Sequence, residues 1–373
     1  MKRELGREFQ HSRLLTLAVY RVNANFVRFQ EQFLSRRHLY FFDNEVTFRC
    51  RQGECLETCR DVADPKYRED NISSLLWYSL ALEYPLMDYS NLLHFYTPRA
   101  LTNQSDALGA MAGILRRISD KLGYRMLEGL PTGAFDQFVL FFGVNARRRH
   151  GFPSYSWAGW IGQVDMPIDT PDEQNLWLQD RTWIIWYKRS PSGVLNLVWS
   201  PEANPSFVAS YVRVVGIPGY RRRSRFQCPI PGINTSRTVP AEEPPALTDP
   251  LPRYPVLQFY TMVVFLKLGS LDVFTQRAGL VGRDNVVHGL VVLDGFEGTT
   301  FFESKEPLEV LLLSESTGRK GIDPGSGTWI FYNVMLVEWQ KGLAERRGIG
   351  LLRKEAVHQS FQPGPQWKEI ILG

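Results

Sequence analysis

Tyr332-Asn333-Val334-Met335-Leu336-Val337-Glu338-Trp339 is followed, after Gln340-Lys341-Gly342, by Leu343-Ala344-Glu345-Arg346-Arg347-Gly348-Ile349-Gly350-Leu351-Leu352. Along an extended chain successive side chains alternate between faces. Tyr332, Val334, Leu336 and Glu338 therefore point one way, and Asn333, Met335, Val337 and Trp339 the other. Both faces are apolar, which is the pattern of a central strand covered on two sides. Gly342 permits positive φ, and Gln340 to Gly342 predicts a three-residue turn into an antiparallel partner. In that partner Glu345, Arg346 and Arg347 predict an exposed edge or rim; a partner-binding patch is the alternative for the same three charges.

The same texture extends upstream as far as Gly151. Apolar, β-branched and aromatic runs at 183–188, 194–199, 207–215, 256–268, 286–293, 308–314 and 328–339 are separated by turn residues. Residues 151–373 are expected to form a β-rich, mostly antiparallel C-terminal domain. Within it, 218–255 hold nine prolines together with Arg221, Arg222, Arg223 and Arg225 and show no apolar periodicity, so a long loop is predicted there.

Residues 1–150 read differently. Two strand-like runs, 38–42 and 45–50, flank Asp43-Asn44, which suits a two-residue hairpin. Helical spacing then dominates 72–145. Leu108, Met111, Leu115, Ile118 and Leu122 recur at intervals of 3, 4, 3 and 4, with Asn103 at a predicted N-cap and Gly123 at a predicted C′ position. Further helices are predicted around 89–96 and 135–142. The fold class expected is α+β, with a β-rich second half. No internal repeat of 20 to 50 residues is visible, which argues against solenoids and propellers.

The chain has 373 residues, 44% hydrophobic and 22% charged, values of a folded globular protein rather than a disordered or fibrous one. Net charge is 43 minus 39, or +4, too small to argue nucleic-acid or membrane binding from balance alone. No apolar run reaches the 18 or so residues of a spanning helix. Acidic Glu4 and Glu8 precede the short apolar run at 14–20, so no signal peptide is expected, and a cytoplasmic location is. Four cysteines, three of them at Cys50, Cys55 and Cys59, predict free thiols in a reducing compartment.

Phosphate-cradling, dinucleotide, zinc-protease and nucleophile-elbow motifs are absent from the sequence. The six histidines are scattered, and the cysteine spacings miss the usual zinc knuckle, so neither a metal nor another cofactor is expected. Arg147-Arg148-Arg149-His150 and the arginines at 221–225 raise the question of nucleic acid, but without wider basic character a solvated loop is the expectation. The densest local signal is Phe152-Pro153-Ser154-Tyr155-Ser156-Trp157-Ala158-Gly159-Trp160. Proline fixes φ and small residues let rings pack closely, so a buried junction is expected there in preference to a ligand platform.

Several segments recur in order. They are Gln30-Glu31, Leu34-Ser35-Arg36-Arg37, Leu39, Phe41 and a strand through Val46 and Phe48 to Cys50; an aromatic-rich stretch from Tyr89 to Tyr96; Arg99-Ala100-Leu101-Thr102; Asp106 to Ile114; and Pro153 to Ala158. This ordered set resembles the fungal heterokaryon incompatibility (HET) domain proteins, with Tyr155 in place of one tryptophan of a P-S-W-S-W-A motif. The stretches Tyr332 to Trp339 and Glu345 to Gly350 are similar to the tail these proteins often carry. The family's opening segments have no counterpart here, and Val27-Arg28 stand where Trp-Thr belongs. The resemblance therefore implies a partial HET domain, TIR-like and α/β in fold, within residues 1–150. It implies a truncated, non-catalytic protein of self/non-self recognition or cell-death signalling that works with an unidentified protein partner. Gln30, Glu31, Arg36, Tyr155, Trp157 and Trp160 are the binding residues it suggests. The alternatives are a TIR-like NAD hydrolase completed by another chain and a nucleic-acid-binding module built on the Arg221 loop.

Overall fold

A computed structural model describes residues 34, 37–42, 45–50, 53–56, 85–123, 125–166, 184–198, 240, 251–295, 306–316 and 331–373. The chain divides into two compact units between Lys121 and Leu122. Residues 122–150 fall in the second of these units.

In the first unit β1 (Arg37–Phe42), β2 (Glu45–Cys50) and β3 (Gly53–Leu56) form an antiparallel meander. Phe42 lies opposite Glu45 and Phe48 opposite Cys55, while Asp43 and Asn44, where a two-residue turn is predicted, lie outside the described residues. Helix α1 (Pro85–Tyr96) opens on a proline, whose missing N–H costs nothing in the first turn. It buries Leu86, Tyr89, Leu92, Leu93 and Tyr96, and the Tyr96 hydroxyl donates to the Ala107 carbonyl at 2.6 Å. Asn103 caps a short 3-10 turn at Gln104–Asp106 rather than the α-helix, which begins later as α2 (Ala112–Leu122). The later start rotates the buried face. Met111, Ile114, Ile118 and Leu122 are buried, whereas Leu108 and Leu115 of the expected stripe are half-buried. Gly123 has φ +73, as its C′ position requires.

The second unit opens with the small hairpin of β4 (Met126–Leu127) and β5 (Leu130–Pro131) and a single-turn helix α3 (Phe135–Phe138). The helix expected over 135–142 stops early. From Phe142 the chain enters β6 (Phe142–Arg148), which pairs with β7 (Trp160–Asp165) in a two-stranded ribbon. The main sheet contains β8 (Tyr187–Arg189), β9 (Leu195–Leu197), β10 (Val256–Asp272), β11 (Arg277–Val281), β12 (Val287–Leu293), β13 (Leu308–Ser316), β14 (Phe331–Gln340), β15 (Leu343–Arg353) and β16 (Gln366–Leu372). It is antiparallel save for one parallel contact of Ala344 with Leu372.

Its pairings return on themselves. β10 pairs with β11, β11 with β12, β12 with β15, β15 with β14, β14 with β13, and β13 again with β10. Val263 of β10 faces Leu311 of β13 on one side and Gln366 of β16 on the other, and farther along the strand β11 succeeds β16. The result is a closed six-stranded circuit with β16 wedged beside β10 and β15. Closure removes the open edges a flat sheet would expose. It also accounts for β14, in which both alternating faces from Phe331 to Val337 are buried, as its sequence predicts. The β14–β15 loop is shorter than predicted. Gln340 pairs directly with Leu343, and Lys341 and Gly342 both take positive φ, +52 and +84, giving a two-residue hairpin turn.

The prediction of an exposed edge at Glu345, Arg346 and Arg347 is overturned. β15 lies between β14 and β12, Arg346 is 0% exposed and Arg347 is buried. Among the described residues no helix is long and apolar enough to cross a membrane. The predicted strand at 207–215 and the arginines at 221–225 lie outside the described residues, as does Cys59.

Candidate functional site

The Pro153 to Trp160 segment is held to the rest of the second unit by its polar atoms. Ser154 donates through both its backbone N–H and its hydroxyl to the Gly373 carbonyl oxygen, and its Oγ accepts from Arg346 N at 2.9 Å. The Tyr155 hydroxyl donates to the Pro255 carbonyl at 2.7 Å, and Ser156 Oγ donates to the Glu128 carbonyl. Trp157 Nε1 donates to the Gly129 carbonyl at 3.1 Å and Trp160 Nε1 to the Ser154 carbonyl at 2.9 Å. Tyr155, Trp157 and Trp160 are all buried. The structure thus brings together three of the six site residues suggested by the sequence, and it gives them packing positions. Gln30, Glu31 and Arg36 lie outside the described residues.

Beside this segment sits a charged node that the sequence does not announce. The last residues of β12 lead into Asp294, whose carboxylate accepts Arg346 Nε at 2.6 Å, Arg346 Nη2 at 3.2 Å and the Gly143 N–H at 3.3 Å. The remaining Arg346 donors go to the carbonyls of Val139 and Phe141, and the guanidinium lies 3.7 Å from the centroid of the Phe141 ring. These partners are acceptors and a π-face, which is what the burial of a cation demands. Burial pushes the guanidinium's pKa down, and Asp294 opposes the shift.

A second network lies outward of the first. Arg148 Nε donates to Glu345 at 2.5 Å, and its Nη atoms reach the carbonyls of Arg149, Gly159 and Phe152. Arg347 pairs with Glu338 and, at 3.0 Å, with Glu345. Arg148 and Arg347 border an open cleft of about 340 Å³. Arg147, Arg148 and His150 line it from the ribbon, Trp160 and Ile161 from the base of β7, and Asp294, Gly295 and Arg347 from the closed sheet. Tyr254, hydrogen-bonded to Arg148, has its hydroxyl pKa raised by burial against the arginine's opposing charge. Burial likewise raises the Glu128 carboxyl, with Lys188 opposing, and Glu128 and Tyr254 add to the effect of burial on Tyr155.

Two irregularities shape the cleft. In β6 the register shifts between Val144 and Arg147, where Asn145 takes φ +51 and its N–H is held by Gln276 Oε1 at 2.9 Å. In β15 it shifts opposite Leu336 and Val337, which leaves Arg347 without a paired residue. Bulges of this kind redirect the side chains that follow them. They explain why the consecutive arginines 147, 148 and 149 are respectively exposed, half-buried and buried. The signal for these sites in the sequence was the clustering of charge inside strand-like segments. What it lacked was the distant partner of each charge.

Compared with models of protein families, with curated proteins and with solved structures, the chain matches none of them.

Proposed function

We propose that the chain is a HET-type protein of fungal self/non-self recognition or cell-death signalling, in which the C-terminal β unit binds rather than catalyses. The observation that carries this proposal is the state of the Pro153 to Ala158 motif. Ser154, Tyr155, Ser156 and Trp157 each commit their side-chain polar atoms to backbone groups of the same unit, so the motif builds a scaffold. The β1–β2 hairpin, helix α1 and this motif follow one another in the order of the family pattern, which supports the same proposal. Cell-death signalling by this unit is expected to act together with a complete HET domain, in the same chain or from a partner.

The test is expression in a filamentous fungus of this chain alone and of the chain extended by a complete HET domain. Viable colonies from the chain alone and death from the extended form are expected. Death caused by the chain alone would contradict the proposal.

A further inference from the structure

We propose that the cleft between the β6–β7 ribbon and Asp294–Arg347 is a binding site for a small organic anion, a phosphate or carboxylate carried on an apolar body. This inference is independent of the family proposal above, because it rests only on the geometry of the second unit.

The polarity of the lining is one-sided. Three guanidinium groups, Arg147, Arg148 and Arg347, and one imidazole, His150, face a single carboxylate, Asp294. That carboxylate is already saturated by Arg346 and the Gly143 N–H. The donors differ in what they have left to give. Arg148 is committed through Nε and both Nη atoms to Glu345 and three carbonyls, so it contributes charge to the wall and no free N–H of the outer fork. Arg347 is 8% exposed, and its Nε and Nη2 engage Glu338 and Glu345 while Nη1 has no partner among the described residues. A guanidinium held this firmly, with one N–H-bearing nitrogen left for a ligand beside a cleft, is a pre-oriented donor, the kind that recognises phosphate and carboxylate oxygens. His150 is exposed at the rim, its ring nitrogens without a hydrogen-bond partner among the described residues, and Arg147 is likewise exposed.

Trp160 and Ile161 supply the apolar part of the lining. Gly295 keeps the adjoining wall low. It sits at φ +75, and a Cβ there would stand 3.2 Å from the Ala146 carbonyl oxygen and 3.5 Å from the Trp160 ring. A volume of about 340 Å³ falls at the lower end of small-molecule sites, enough for one charged head group and one ring. The two bulges that aim Arg147 and Arg347 at this space come from different strands and converge on it.

Titration calorimetry on the full chain with phenyl phosphate and benzoate tests the inference. Inorganic phosphate serves as the head group alone and benzyl alcohol as the body alone. Saturable binding of phenyl phosphate or benzoate is expected, the tighter of the two identifying the head group, with both single-part probes weaker by about tenfold or more. Replacing Arg147→Glu or His150→Ala should weaken binding by about tenfold, the effect of losing a charge-assisted contact. Arg283→Glu, the same charge change in the exposed loop at the opposite end of β11, should leave it unchanged. Absence of saturable binding to either aryl anion would overturn the proposal. So would equal affinity for inorganic phosphate, or equal loss in the Arg283→Glu control, which would mark a diffuse charge effect.

Discussion

Removing one half of the Arg346–Asp294 pair should cost the sheet unit more than any surface charge could. In Asp294→Ala the guanidinium remains 0% exposed, keeping only the Val139 and Phe141 carbonyls and the Phe141 ring for company. Breaking a buried pair by deleting one partner costs about 3–5 kcal/mol, since the survivor is left charged and dry. Arg346→Met strands the carboxylate instead and falls in the same range of about 3–5 kcal/mol. The double variant removes both charges but leaves two buried carbonyls without a donor, at about 1–3 kcal/mol each. Its cost should thus lie near that of either single variant, far below their sum, with a coupling energy at or above ~3 kcal/mol, the upper end for touching groups. Urea denaturation followed by near-ultraviolet circular dichroism of the buried tryptophans measures all three. The midpoints of the wild type and the variants should respond alike to 1 M salt, because a pair out of reach of water is poorly screened. Single variants within about 1 kcal/mol of wild type, or strictly additive costs, would refute the buried-node account.

Trp157→Ala should destabilise by about 3–5 kcal/mol, because a fully buried indole and its bond to the Gly129 carbonyl are lost; unchanged melting would show that the ring is not a core anchor. Glu128→Gln addresses pH. Burial raises the carboxyl's pKa in the folded state above its unfolded value, so folding takes up a proton and stability declines as pH climbs from the ordinary glutamate range through the raised value. The glutamine variant should therefore melt higher than wild type at pH 7 and alike below the glutamate range; a lower melting point at pH 7 would contradict this. Gly350→Ala places a methyl group against the Leu290 carbonyl oxygen of the neighbouring strand, and should cost several kcal/mol or abolish folding by thermal melt, whereas wild-type stability would mean that β12 and β15 do not approach so closely.

Much of the closed sheet was legible because its strands carry apolar residues on both faces. Phe331 to Val337 displays that pattern, and the structure buries both faces as it implies. The turn after it was misjudged by one residue, since Lys341 adopts a positive φ that its side chain does not advertise. The charges of β15 misled for a more general reason. Glu-Arg-Arg reads as a surface wherever it occurs, and the groups that neutralise Arg346 lie 52 residues away at Asp294 and 205 away at Phe141. Phe135 to Phe142 carries too few residues of any one period to separate helix from strand, and pairing with β7 decided the matter. Trp157 and Trp160 were readable as core because ring, proline and small residues crowd together. The cleft was not, because it needs two bulges and three separate strands to assemble. Of the suggested site residues, Gln30, Glu31 and Arg36 fall outside the described chain.

Native-state hydrogen exchange, read residue by residue, tests the closed sheet most directly. β14 is flanked by β13 and β15 and buried on both faces, so its amides open only with the whole unit. The amides of Val334, Met335, Leu336 and Val337 should be among the slowest in the chain, joined by those of Ile349 and Leu351 in β15, which their cross-strand partners protect. β9, which among the described residues pairs with β8 alone, should exchange far faster. Rapid exchange at Val334 to Val337, with protection no greater than in β9, would contradict the closed β architecture and the buried charged node built on it.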